Sequence, residues 1–140
     1  TFRSAVRERR KSELNHRGIL DMNEGRAAKG RAVLERLCGD ADAINAFPEK
    51  FRRYTLEHLF GDVWQGDGLS LEERSLVTCT MLTALAREPE QRFHFAGAKR
   101  LGIPREKLVD MITHAAHYAG WPNAVGALRN LNEVWPEDDA

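Results

Sequence analysis

Apolar residues recur at every third or fourth position through most of the chain, and no stretch shows the period-two alternation of a strand. Ala27, Val33, Leu34 and Leu37 form one such stripe, between Asn23 as an N-cap and Gly39 as a stop, and predict an amphipathic helix. The residues before it are polar, with a weak stripe in Phe2, Val6 and Leu14 ending near Gly18. This arm, residues 1–21, is expected to fold against a partner. Pro48 suits a first helical position, and Phe51, Leu56, Leu59 and Phe60 give the next helix its apolar face as far as Gly61. The loop at 62–68 carries Trp64 between two turn clusters.

Ser70 and Glu73 form a capping box ahead of Leu76, Val77, Cys79, Met81, Leu82 and Leu85. A helix apolar almost all round is expected to be central and buried. Glu88 and Pro89 break it, and a further helix is expected over 90–101, stopped by Gly102. Pro104 opens a helix with the stripe Leu108, Met111, Ile112, Ala115 and Ala119, closed by Gly120. Pro122 opens the last, with Ala124, Val125, Leu128, Leu131 and Trp135. An acidic tail, residues 136–140, follows and is expected to be disordered. The fold class is all-α, with one helical domain over 22–135.

Composition narrows the function. A chain of 140 residues suits one domain that buries about two thirds of its unfolded surface. Its 21 basic residues balance 21 acidic ones, so no overall field favours nucleic acid or an anionic membrane, and neither is expected as a partner. The densest basic run, Arg7, Arg9, Arg10 and Lys11, is interrupted by Glu8 and reads as a solvated face. No apolar run has the length of a membrane span and the chain begins with no signal-peptide pattern, so a cytoplasmic location is expected. Cys38 and Cys79 fall on separate helices and are expected to be reduced core thiols.

Three places could carry chemistry. Asp110, His114 and His117 project from one side of their helix, opposite its core stripe. Such a row could serve a metal or a proton relay but falls short of a closed zinc site, and it reads as a polar or subunit-facing stripe. His94, between Phe93 and Phe95, is the best single candidate for general acid or base work, because an imidazole titrates near neutrality. Tyr118, Gly120, Trp121 and Pro122 make a tight helix-to-helix corner that brings a hydroxyl and an indole N–H together.

These segments carry a resemblance. Glu73-Arg74-Ser75-Leu76, His94-x-x-Gly97-Ala98, Leu101-Gly102-Ile103 and Tyr118-Ala119-Gly120-Trp121-Pro122 occur in the order typical of the gamma-carboxymuconolactone decarboxylase family. Upstream, Glu24-Gly25-Arg26, Gly30-Arg31-Ala32-Val33-Leu34 and Phe60-Gly61-Asp62-Val63-Trp64 fit the same pattern, so the chain resembles that family over roughly 22–135. The resemblance implies an all-helical fold, a buried two-helix hairpin shared with alkylhydroperoxidase-like proteins, and a homo-oligomer, commonly a trimer or hexamer. It departs from the pattern in two ways. Aligned on His94, the peroxidase branch would have cysteines where this chain has Arg87 and Glu90, and its relay glutamate where this chain has Ser75. Thiol peroxidase chemistry is therefore not expected. Where decarboxylases usually carry Arg after the loop Trp, this chain has Gly66, which points to a different acid or one with fewer carboxylates.

What the resemblance implies for function is decarboxylation of a lactone or related carboxylic acid through an enolate, with no metal and no organic cofactor. His94 would transfer the proton, and Tyr118 with Arg74 or His117 would hold the developing anion. Trp64, Trp121 and His114 would bind the substrate, with Trp64 as a cover. Two other readings stand beside it: a tailoring enzyme performing isomerisation, cyclisation or lactone rearrangement on an aromatic or polyketide intermediate, and a non-catalytic oligomeric binding protein.

Overall fold

The computed structural model describes residues 2–139, and all regular structure among them is helical. Thr1 and Ala140, at the outer ends of the expected arm and tail, lie outside the described residues. Helix α1 spans Phe2–Cys38, so the two segments expected on either side of Gly18 are one uninterrupted helix. A lone glycine costs a helix only about 1 kcal/mol, too little to stop one flanked by good helix formers, and Asn23 lies inside the helix rather than capping it. The described side chains of the arm are exposed up to Met22, Leu14 by 71 %. Its Arg9–Glu13 pair, 3.6 Å apart in water, adds little.

The chain forms two compact units, the first made of residues up to Val33 with Asp42–Gln65, the second of Leu34–Ala41 with the residues from Gly66 onward. A 3-10 turn at Ala41–Ala46, in the first unit from Asp42 onward, leads to helix α2, Glu49–Arg53, which runs on as a π-helix over Tyr54–Phe60. A Cβ at Gly30 would fall on the Leu56 carbonyl, and one at Gly61 on the carbonyls of Arg26 and Leu56. Backbone therefore packs directly on backbone at these two glycines, which only glycine permits. Leu56 and Phe60 are buried as expected, but Phe51 and Leu59, on the same expected face, are 57 % and 41 % exposed. The π-helical segment departs from the 3.6-residue period on which that face was drawn.

In the second unit, α3 (Leu71–Ala84) packs on α4 (Glu88–Arg100), α5 (Arg105–Ala119) and α6 (Trp121–Val134), and α6 also packs on α4 and α5. Leu37, Phe95, Leu108, Ile112 and Leu131 are its fully buried large apolar side chains. Each contributes about 1.5–3 kcal/mol by leaving water. The Ser70 capping box is present: its hydroxyl accepts from Glu73 N at 3.1 Å, and Ser70 N donates to the Glu73 carboxylate at 2.7 Å. Arg100 donates to the Leu37 carbonyl at 2.9 Å and ties down the last turn of α1.

Helix α3 is not buried all round. Ser75, Cys79 and Thr83 face the interior, whereas Val77, Met81 and Leu85 are 42 %, 60 % and 69 % exposed. Three helices press on one side of α3, where small side chains allow the closest approach; Thr83 satisfies its hydroxyl on the Cys79 carbonyl at 2.9 Å. Both cysteines are free, but only Cys79 is fully buried.

The guanidinium of Arg105, buried at the start of α5, donates to the Trp135 carbonyl at 3.0 Å and to the Asn132 side chain, and lies 3.8 Å from Glu137. Glu137–Asp139 form a 3-10 turn beyond it. Among the described residues no helix is long and apolar enough to cross a membrane.

Candidate functional site

The hairpin of α3 and α4 is closed by hydrogen bonds of the Schellman type: Arg87 N to the Leu82 carbonyl at 3.0 Å and Ala86 N to the Thr83 carbonyl at 3.2 Å. The motif needs a left-handed residue, and Ala86 supplies it at φ 53° where glycine would be usual. This turn places Arg87 at the N-cap of α4 and sets the register of Glu90 and His94 on its first two turns. Below it, a buried network fixes α4 to its neighbours. Gln91 donates to the Leu82 carbonyl at 2.9 Å and accepts from Asn130 of α6 at 2.6 Å.

Beside these satisfied groups stand three enclosed atoms without hydrogen-bond partners: Arg74 Nε, Glu90 Oε2 and His94 Nδ1. Arg74, on the first turn of α3, donates another of its nitrogens to the Gly66 carbonyl at 2.8 Å. A guanidinium thus holds the backbone of the loop that leads into α3. One turn beyond Ser75, burial pushes the Cys79 thiol up to about 12, partly offset by the Ser75 hydroxyl. That thiol is protonated at neutral pH and is no nucleophile.

His94 is half-buried, with its ring 5.0 Å from Phe93 in an edge-to-face contact. Burial lowers its pKa below the usual imidazole value, and the negative charge of Glu90 works in the opposite direction. Glu90 in turn is held below the usual carboxylate range, chiefly by its hydrogen bond with Arg87 at 2.9 Å.

The second group of candidates lies at the corner of α5 and α6, where Gly120 turns the chain at φ 95°. The Tyr118 ring stacks on His114 at 5.0 Å and Trp121 meets His117 edge-on at 6.0 Å. His117 Nδ1 lies 3.0 Å from the Thr113 carbonyl, a distance at which a protonated Nδ1 donates. Tyr118 and Trp121 are 82 % and 62 % exposed. A groove of about 240 Å³, lined by Thr80, Ala84, His114, Ala115, Tyr118 and Ala119, runs between α3 and α5. Asn123 locks the corner to the end of α3, donating to the Ala84 carbonyl at 3.0 Å and the Ala119 carbonyl at 3.2 Å.

Within one chain the sequence candidates therefore fall into sets. Arg74 and His94 share the α3–α4 hairpin. His114, His117, Tyr118 and Trp121 share the corner, and α4 makes its main contacts with α3 and α6 rather than α5. Trp64 belongs to the first unit, half-buried with its ring 5.3 Å from Phe60. Asp110, His114 and His117 are exposed, and among the described residues no group of three His, Cys, Asp or Glu side chains is placed to hold a metal ion. Sequence reasoning gave no role to Gln91, Asn130, Asn123 or Glu90; a polar residue in a helix reads as solvated until its distant partner is known.

The family model for the carboxymuconolactone decarboxylase family matches residues 49–133, which include both the hairpin and the corner. A 4-carboxymuconolactone decarboxylase of Acinetobacter baylyi is 31 % identical over 121 residues, 82 % of this chain and 90 % of the relative. A nitrosuccinic acid decarboxylase of Metarhizium robertsii is 32 % identical over 72 residues, 51 % of this chain and 50 % of the relative. With its hairpin, its corner and nearly the full length of a named relative aligned, this chain belongs to the carboxymuconolactone decarboxylase family.

Proposed function

We propose that the protein decarboxylates a lactone or related carboxylic acid without metal or organic cofactor. The substrate carboxylate leaves as carbon dioxide, its bonding electrons pass into an adjacent acceptor to give an enolate, and His94 returns a proton to carbon. The chain is a carboxy-lyase: both relatives are named as decarboxylases, one for a lactone acid and one for a nitro acid.

The observation that supports this reading most is the enclosed, unpartnered polar set on the α3–α4 hairpin. An unsatisfied buried donor costs about 1–3 kcal/mol, which a bound acid would recover. Arg74 offers an N–H to a carboxylate or enolate oxygen from a guanidinium already tethered at Gly66. His94 is biased towards its neutral form by burial, and the negative charge of a bound acid would favour the imidazolium needed to protonate carbon. We assign anion-holding and substrate-binding roles at the α5–α6 corner to Tyr118, His117, His114 and Trp121, and a substrate-binding role within the first unit to Trp64.

The same reading includes a homo-oligomer, a trimer or hexamer. Its support is the outward apolar face of Val77, Met81 and Leu85 together with the exposed Tyr118 and Trp121, surface that a second copy would cover. Light scattering should give several times the monomer mass, and Met81→Glu should lower it. A monomer mass for the unaltered protein would remove this part.

Gly66 in the place of the loop arginine favours a second reading, isomerisation or cyclisation of a less acidic intermediate at the same groups. Incubating the protein with 4-carboxymuconolactone and, separately, nitrosuccinate, while following carbon dioxide and product, separates the readings. Carbon dioxide release from either acid supports the decarboxylase. Binding of both without release would leave a binding or tailoring protein.

A further inference from the structure

We infer that Glu90 is the positioning residue of His94, a carboxylate that closes on the imidazole when the ring takes up its second proton. The inference rests on the reading of His94 as proton donor.

Glu90 and His94 are spaced i and i+4 on α4 and so share one face of the helix, and Arg87, the residue that caps its start, pairs with Glu90. Arg87 fixes one oxygen of Glu90 at 2.9 Å, which leaves the other, Oε2, enclosed and unpartnered. One turn on, His94 Nδ1 is also enclosed and unpartnered. With the proton on Nε2, Nδ1 is an acceptor like Oε2, and the two cannot bond. Once Nδ1 carries a proton it becomes a donor one helical turn from a charged acceptor, and a side-chain rotation would bring the two together.

Among the described residues, the elements packed on α4 offer His94 no competing anion of this kind. On α3 the inward stripe is Ser75, Cys79 and Thr83, with the thiol neutral below about 12 and the Arg74 cation in the first turn. On α6, Asn130 is engaged by Gln91, and Glu133 is paired with Arg92 at 2.7 Å. In consequence, of the two positions that would be thiols in the peroxidase branch, Glu90 supports the charged form of the same histidine, and Arg87 holds that carboxylate.

The test is the His94 ring titration followed by NMR in the ligand-free protein, alongside turnover. Glu90→Gln should lower the titration midpoint, Glu90→Asp should keep most of it, and Arg87→Gln, which removes a cation and frees the carboxylate, should raise it. In turnover, Glu90→Gln should reduce kcat about tenfold with KM little changed, and should move the alkaline limb of the pH profile to lower pH. An unchanged His94 midpoint in a folded Glu90→Gln protein would overturn the inference, whatever happens to activity. The expected midpoint shifts combined with full turnover by His94→Gln would leave the pairing intact and remove His94 as proton donor.

Discussion

The α3–α4 hairpin and the α5–α6 corner both carry rings and polar groups, yet they treat them in opposite ways. On the hairpin, Arg74, Glu90 and His94 each have one enclosed atom without a partner, on side chains that are otherwise partly open to solvent. At the corner, His114, His117, Tyr118 and Trp121 are exposed and lean on one another. Electrostatic interactions strengthen where water is excluded, so the hairpin holds groups ready to act on a bound acid. The corner groups are screened until another surface covers them. The lesson is that ring chemistry alone does not rank candidates; enclosure without satisfaction does.

Four measurements probe the difference between hairpin and corner. His94→Gln should have the largest effect, lowering kcat by about 100-fold or more in an assay of carbon dioxide release. Tyr118→Phe, at the corner, should lower kcat by less than about tenfold under the same conditions; parity with His94→Gln would erase the distinction between the two regions. The third concerns stability. Because burial lowers the His94 pKa, the unfolded chain takes up a proton below 6.5 that the folded chain resists, so stability falls as pH drops through this window and levels off below the folded pKa. Melting temperatures from about pH 8 to about pH 5 should fall more for the unaltered protein than for His94→Gln. The smallest effect is at the hairpin turn: Ala86→Gly relieves a left-handed alanine and should stabilise by about 0.5–1 kcal/mol in urea unfolding.

Much of the architecture is legible in the sequence because local chemistry decides it. The Ser70–Glu73 capping box, Pro104 and Gly120 bound α3 and α5 where the pattern places them, and the stripe of Leu108, Ile112 and Ala115 is buried. Helix α3 is harder to read. Its large apolar residues suggest an interior helix, but three helices crowd one side, small residues line it, and Met81 and Leu85 turn outward. That pattern carries no mark of which face meets the neighbours. Buried polar residues are illegible for a related reason: Asn130 finds Gln91 39 residues away, and Arg105 finds Trp135 30 residues away. In the site, His94 stands out between two phenylalanines, whereas Glu90 looks like any solvated glutamate until the enclosure of Oε2 is seen.

Proton delivery to carbon by His94 is the claim on which the rest depends. Decarboxylation in D2O, with the product analysed for the face on which deuterium enters, tests it directly. The unaltered enzyme should place deuterium on a single face, and His94→Gln should turn over slowly and scatter it between both. A His94→Gln enzyme that keeps both its rate and its single-faced delivery would contradict the account.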